Sequence, residues 1–118
     1  MSIDNNLYEK SIKILTDLIA FKTISGQDNS NLIDYCEKIL KNIGIDTFKV
    51  YDDDKKRVNL FGTLKAKNQS TKKPIILSGH TDVVPVSKGW SSDPFVATIK
   101  NNKMKKLIPL ILIFPVLG

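Results

Sequence analysis

Hydrophobic residues recur at helical intervals from Leu7 to Phe21, and this spacing places them on one broad face of a helix. The positions concerned are Leu7, Ile12, Ile14, Leu15, Leu18 and Ile19. We predict a first helix there. Residues 21–30 are mostly small and polar, include Gly26, and have no hydrophobic period, so they predict a loop.

A second helical pattern follows the loop, with apolar positions at Leu32, Cys36, Ile39, Leu40 and Ile43. Asn29 or Ser30 can serve as its N-cap, and Gly44 is placed to end it. The sequence therefore predicts a second helix between these signals.

The period changes after Gly44. Residues Thr47–Tyr51 and Val58–Leu64 are rich in β-branched and aromatic side chains, and the charged run Asp52–Arg57 separates them. We predict two neighbouring strands joined by a polar turn.

Pro74–Leu77 is a continuous apolar run, which is typical of a strand covered on both faces. Val96–Lys100 predicts a further short strand, and Asn101-Asn102 a turn after it. Two helices followed by a partial sheet, with a buried strand late in the chain, indicate an α/β fold of three layers.

The last residues differ from the rest in composition. We divide the chain into a catalytic-domain part, residues 1–103, and an apolar tail, residues 104–118. The tail contains two prolines and falls short of the roughly 20 apolar residues that a spanning helix needs, so a membrane anchor is not expected. Three interpretations stay open: an aberrant end from premature termination or a frameshift, a buried strand, and a membrane-touching or partner-binding tail.

Composition narrows the class of protein. The 118 residues carry a net charge of +6, but lysines such as Lys65, Lys67 and Lys72 lie in a loop without interleaved aromatics, so we expect no nucleic-acid partner.

The single Cys36 excludes an internal disulfide and is interpreted as a buried thiol. With a polar start and no secretory signal, a cytoplasmic location is expected.

The chain contains one histidine, His80, and Asp82 follows it by two positions. On an extended segment these side chains point to the same side, so they can address one site. A carboxylate that accepts a hydrogen bond from one imidazole nitrogen fixes the ring for metal binding through the other. On spacing alone, a structural histidine is the more common interpretation of this pattern.

The surrounding residues resemble a known family. Leu77–Val86 together with Gly89–Phe95 resembles the first metal-site motif of the zinc-dependent aminoacylase and carboxypeptidase family. Asn59–Leu64 and Phe21–Ser25 are similar to that family too, and the resemblance runs from about Leu7 to Asn102. It implies that the chain is the N-terminal part of a three-layer zinc-peptidase-like catalytic domain.

The resemblance also implies chemistry. His80 would ligate one of two zinc ions, for which cobalt can substitute, and Asp82 would be the catalytic-site residue that orients the ring. In the family, a water activated by the metals and a Glu base attacks the amide of an N-acylated amino acid. The motifs Leu77–Val86 and Gly89–Phe95 are most similar to those of enzymes that deacetylate N-acetylornithine in arginine biosynthesis. The alternative activity within the family is desuccinylation of succinyl-diaminopimelate.

The sequence departs from the family pattern at Met104. There the family continues into a glycine-rich segment with the aspartate that bridges both metals, then the Glu base, further ligands and a dimerisation domain. None of these is recognisable here, so we expect this chain alone to be inert and to lack the family's homodimer contact. The alternative of another class is a non-catalytic remnant, or an interaction or membrane-peripheral protein that uses the tail.

Overall fold

The computed structural model describes residues 5–67 and 74–100, and the backbone alone of residues 103–105. Its elements are α1 Asn5–Ala20, α2 Ser30–Asn42, β1 Asp46–Tyr51, β2 Val58–Thr63, β3 Thr98–Lys100 and β4 Lys103–Lys105. The predictions of two helices and of two strands around the charged turn are confirmed. Within the described part of the chain, no helix is long and apolar enough to cross a membrane.

Helix α2 begins and ends where the sequence predicts. Asn29 occupies the N-cap position, but its side chain does not cap the helix. Asp28 takes that part instead, because its Oδ1 accepts from the Ser30 N–H at 2.8 Å and from the Ser30 hydroxyl at 2.6 Å. At the other end Gly44 has φ +78°, a conformation that favours glycine, and its N–H donates to the Lys41 carbonyl at 3.0 Å.

Strands β1 and β2 form an antiparallel hairpin that packs on α2 through one face. Leu32, Ile33 and Val58 form the buried cluster between them, and Leu60 packs against it. A Cβ on Gly62 would lie 3.1 Å from Ile45 Cγ2 and 3.2 Å from Leu40 Cδ1. The absence of a side chain at that position lets the hairpin approach the helix closely.

The opposite face of the hairpin is open to solvent. Phe48 and Phe61 are directly paired across the strands, and their rings stack with centroids 4.8 Å apart and an interplanar angle of 6°. Both side chains are about half exposed, at 57% and 50%. Stacking therefore covers one face of each ring but leaves the pair exposed to water.

The prediction of a buried strand at Pro74–Leu77 is wrong for this structure. Within the described residues this segment pairs with no strand, and Ile75 and Leu77 are 79% and 70% exposed. A buried parallel strand needs a hydrogen-bonded neighbour and a layer on each face. The described elements supply neither, because their only sheets are the β1–β2 and β3–β4 pairs. An apolar run alone does not create those partners.

The last described residues form a second small antiparallel pair, in which Lys100 lies opposite Lys103 and Thr98 opposite Lys105. The predicted short strand at Val96–Lys100 is confirmed in its second half, β3. The predicted turn at Asn101-Asn102 and the tail from Lys106 onward lie outside the described residues.

Candidate functional site

Two segments distant in sequence meet beside the candidate site. The Val83 N–H donates to the Thr23 carbonyl and the Ser25 N–H donates to the Val83 carbonyl, both at 2.9 Å, which makes a parallel bridge between Ile24 and Val83. The Thr23 hydroxyl donates to the Thr81 carbonyl at 2.5 Å. Thr23 and Val83 are buried, so this link fixes the backbone around Asp82 to the loop after α1.

Asn29 ties the same region to the hairpin. Its side-chain oxygen accepts from the Val58 N–H at 2.8 Å, and its amide nitrogen donates to the Val58 carbonyl at 3.1 Å. The amide nitrogen also lies 3.5 Å from the Thr81 hydroxyl, a long contact. One amide side chain thus satisfies both main-chain groups of a buried residue at the start of β2.

The structure brings His80 and Asp82 together. His80 Nδ1 lies 2.9 Å from Asp82 Oδ1 and 3.1 Å from the Asp82 carbonyl oxygen. Their side chains are 48% and 54% exposed, so the pair opens to solvent. Among the described residues, the pair lies in a segment without strand pairing, next to the Ile24–Val83 bridge.

The contacts of Nδ1 assign the proton on the neutral ring. An ionised carboxylate and a carbonyl can only accept hydrogen bonds, so the nitrogen that contacts both must carry the hydrogen. The lone pair of a neutral His80 then lies on Nε2. Within the part of the chain that the structure describes, the ring's hydrogen-bond contacts are all at Nδ1, so Nε2 is available to a ligand.

Ser25 completes the arrangement, because its hydroxyl donates to the second carboxylate oxygen, Asp82 Oδ2, at 2.5 Å. This hydrogen bond is the largest of the effects that lower the pKa of Asp82. The contact with His80 adds to it, and partial burial opposes it. Asp82 is therefore held as a carboxylate that accepts from both neighbours.

A cleft of about 450 Å³ adjoins the pair, between the 23–29 loop, α2, the start of β2 and residues 79–82. His80, Asp82, Cys36 and Arg57 are among its lining residues. Burial raises the pKa of the Cys36 thiol, which disfavours the thiolate that would bind a metal. Arg57 is paired with Asp52, Nε to Oδ2 at 2.6 Å.

The donor set fits one metal ligand with its orienting carboxylate. A free imidazole nitrogen opposite a carboxylate-bound one is the usual arrangement of a ligating histidine. Zinc sites hold three or four protein ligands. Across residues 5–67 and 74–100, no group of three or more His, Cys, Asp or Glu side chains could hold a metal, so further ligands would have to come from elsewhere.

Sequence reasoning placed His80 and Asp82 at the candidate site but missed Thr23, Ser25 and Asn29. The sequence predicts only that the loop is polar, since hydroxyl and amide side chains are common in every loop. Its sole signal was the similarity of Phe21–Ser25 to the family, and that similarity does not say which atoms the hydroxyls contact.

Comparison with known proteins identifies related enzymes. The chain is 34% identical to a succinyl-diaminopimelate desuccinylase of Sulfurovum sp. over 93 residues, covering 79% of this chain and 23% of that enzyme. It is 33% identical to an acetylornithine deacetylase of Photorhabdus laumondii over 101 residues, covering 79% and 25%. It is 34% identical to a probable carboxypeptidase S-like 1 of Dictyostelium discoideum over 116 residues, covering 87% and 24%.

The chain spans about a quarter of the length of these relatives. No protein-family model and no solved structure matches it. The resemblance that the sequence motifs indicated is nevertheless confirmed, because deacetylase, desuccinylase and carboxypeptidase relatives all align with most of the chain.

Proposed function

This chain is related in sequence to the deacetylases and desuccinylases of the aminoacylase and carboxypeptidase family, and on that premise we propose that it carries part of the metal site of an amide hydrolase. The contact of His80 Nδ1 with Asp82 Oδ1 at 2.9 Å, with Nε2 left available, carries the proposal. His80 is the metal ligand. Asp82 orients its ring.

Each residue has a defined task in this proposal. Asp82 keeps the proton on Nδ1, so that the neutral ring presents its lone pair from Nε2. Zinc, or cobalt in its place, would polarise the amide carbonyl and lower the pKa of a water when bound. The remaining ligands and the general base would lie outside the described residues.

The proposed substrate is an N-acylated amino acid, and the proposed reaction is removal of the acetyl group from N-acetylornithine in the cytoplasm. A succinyl-diaminopimelate desuccinylase is the second candidate, since both activities occur among the named relatives. We further propose that the described helices and hairpin are one part of a three-layer catalytic domain. In that setting a covering layer would bury the exposed Ile75 and Leu77.

Zinc titration of the full chain tests the metal role. Because His80 is the only histidine, ¹⁵N labelling of histidine gives resonances from one ring. Zinc is expected to shift Nε2 and not Nδ1, with weak affinity. Calorimetric titration, which needs no histidine label, should show that His80→Ala removes the binding and that Asp82→Asn weakens it roughly 10- to 100-fold. Equal zinc affinity for wild type and His80→Ala would refute the ligand assignment.

A chimera tests the activity. The matched quarter of the Photorhabdus laumondii deacetylase is replaced by residues of this chain, and release of acetate from N-acetylornithine is compared with release of succinate from succinyl-diaminopimelate. Activity that is lost on His80→Ala supports the proposal. A folded chimera that binds zinc normally but hydrolyses neither substrate contradicts it.

A further inference from the structure

Ser25 reaches the candidate site from the loop after α1. Its hydroxyl donates to Asp82 Oδ2 at 2.5 Å, while the other oxygen of that carboxylate contacts His80 Nδ1 at 2.9 Å. The three side chains therefore form one continuous series of hydrogen bonds that ends at the imidazole. The Val83 carbonyl is a second possible acceptor for the hydroxyl, but it is farther away, at 3.3 Å.

The backbone holds the Ser25 hydroxyl in place. The Ser25 N–H donates to the Val83 carbonyl, and the Val83 N–H donates back to Thr23. The backbone on each side of Asp82 is held by the same link, through Thr81 and Val83, while the Asp82 side chain is 54% exposed. With both backbones held, the Ser25 hydroxyl restrains the direction in which the exposed carboxylate faces.

We propose that Ser25 is a positioning residue of the metal site: it holds the Asp82 carboxylate in the orientation that keeps a proton on His80 Nδ1 and leaves Nε2 for a divalent cation. This assignment rests on the proposed function and adds a residue to it. Ser25 touches neither the cation nor the substrate in this scheme. It acts through Asp82.

If Ser25 only stabilised the fold, removal of its hydroxyl would not change which His80 nitrogen carries the proton. The loop is already fastened by two main-chain hydrogen bonds and by the Thr23 hydroxyl. Removal of the Ser25 hydroxyl should therefore leave the loop in place and change only the restraint on Asp82. The position of the His80 proton responds to that restraint, whereas it does not respond to a small change in global stability.

The test measures the tautomer of His80 by ¹⁵N NMR of the full chain labelled in histidine. At a pH of about 8.5 an imidazole is neutral, and the two ring nitrogens report which of them carries the hydrogen. We expect the Nδ1–H form to predominate in the wild type. In Ser25→Ala the ratio of the Nδ1–H form to the Nε2–H form should fall about three- to fivefold, the size expected from the loss of one hydrogen bond.

Two variants serve as controls. Ser25→Thr keeps a hydroxyl and should retain the wild-type ratio. Ser11→Ala removes a hydroxyl that donates only within α1, to the Leu7 carbonyl at 2.8 Å, and should also leave the ratio unchanged. If Ser25→Ala does not fold, Ser25→Cys gives the same measurement with a side chain of similar size and a weak donor, and a reduced ratio is again expected.

The outcomes separate this inference from the proposed function. A wild-type ratio in folded Ser25→Ala, or in Ser25→Cys, overturns the role of Ser25. If Asp82→Asn changes the ratio in that case, the pairing of Asp82 with His80 stands. If Asp82→Asn also leaves the ratio unchanged, the orienting role of Asp82 fails, and the role of Ser25 fails with it.

Discussion

Asn29 shows how one side chain links three parts of the molecule. It precedes α2, it binds both main-chain groups of Val58, and its amide approaches Thr81. Val58 is only 4% exposed, so water cannot replace those hydrogen bonds. At the residue scale, the loop before α2 therefore supports both the hairpin and the segment that carries His80.

Replacement of Asn29 by Ala should lower the free energy of unfolding by about 2–3 kcal/mol, because a buried N–H and a buried carbonyl lose their partner. Asn31→Ala is the matched control, since Asn31 is exposed on α2 and its replacement should change stability by less than about 0.5 kcal/mol. Urea denaturation of the three proteins provides the measurement. Equal stability of the two variants would contradict the role given to Asn29.

At the scale of elements, α2 and β1 are joined by charge as well as by apolar packing. Lys49 lies on the half-buried side of β1, and its ammonium is 2.6 Å from Asp34 Oδ1 and 2.7 Å from Glu37 Oε2. Glu37 also accepts from Lys41 and from Thr47. The Lys49 and Lys41 contacts, followed by the Thr47 hydroxyl, lower the pKa of Glu37 from 4.5 to about 2.

This shift predicts a dependence of stability on pH. Because the folded state lowers the pKa of Glu37, its contribution is complete above pH 4.5 and is lost as the pH falls toward about 2. Glu37→Gln should be less stable than wild type at pH 7, and the difference should shrink in that acid range. Urea midpoints between pH 2 and pH 7 check this, with Glu9→Gln on α1 as the control. A difference that stays constant over that range would contradict the assignment.

At the scale of the whole molecule, the described chain has a packed part and an open part. The packed part consists of the helices, the hairpin and the link between residues 23–25 and 81–83. The open part includes the exposed apolar run at Pro74–Leu77. The link crosses almost 60 residues of sequence, so it closes a long loop and sets the position of Asp82 relative to α1.

Hydrogen exchange should separate these parts. The amides of Ser25 and Val83 donate within the link, so they are expected to exchange slowly. Among the described residues, the amides of residues 75–79 make no hydrogen bond and should exchange at rates close to those of an unfolded chain. Amide exchange followed by NMR supplies the measurement. Strong protection across residues 75–79 would show that this segment is paired in solution.

The sequence by itself determined the helices, the hairpin and the proximity of His80 and Asp82. These features depend on local spacing: helical periodicity, Gly44 after α2, β-prone runs around a charged turn, and the separation of two residues between His80 and Asp82. Each of these features is predictable from the sequence because its physical cause lies within a few residues.

Only the tertiary structure decided the rest. The link between Ser25 and Asp82 joins residues 57 positions apart, and no local pattern predicts such a hydrogen bond. The exposure of Pro74–Leu77 could not be predicted from the sequence either, because burial depends on which elements pack against a segment and not on its composition. Local spacing thus brought the proposed metal ligand and its carboxylate together, and long-range packing fixed the direction in which they face.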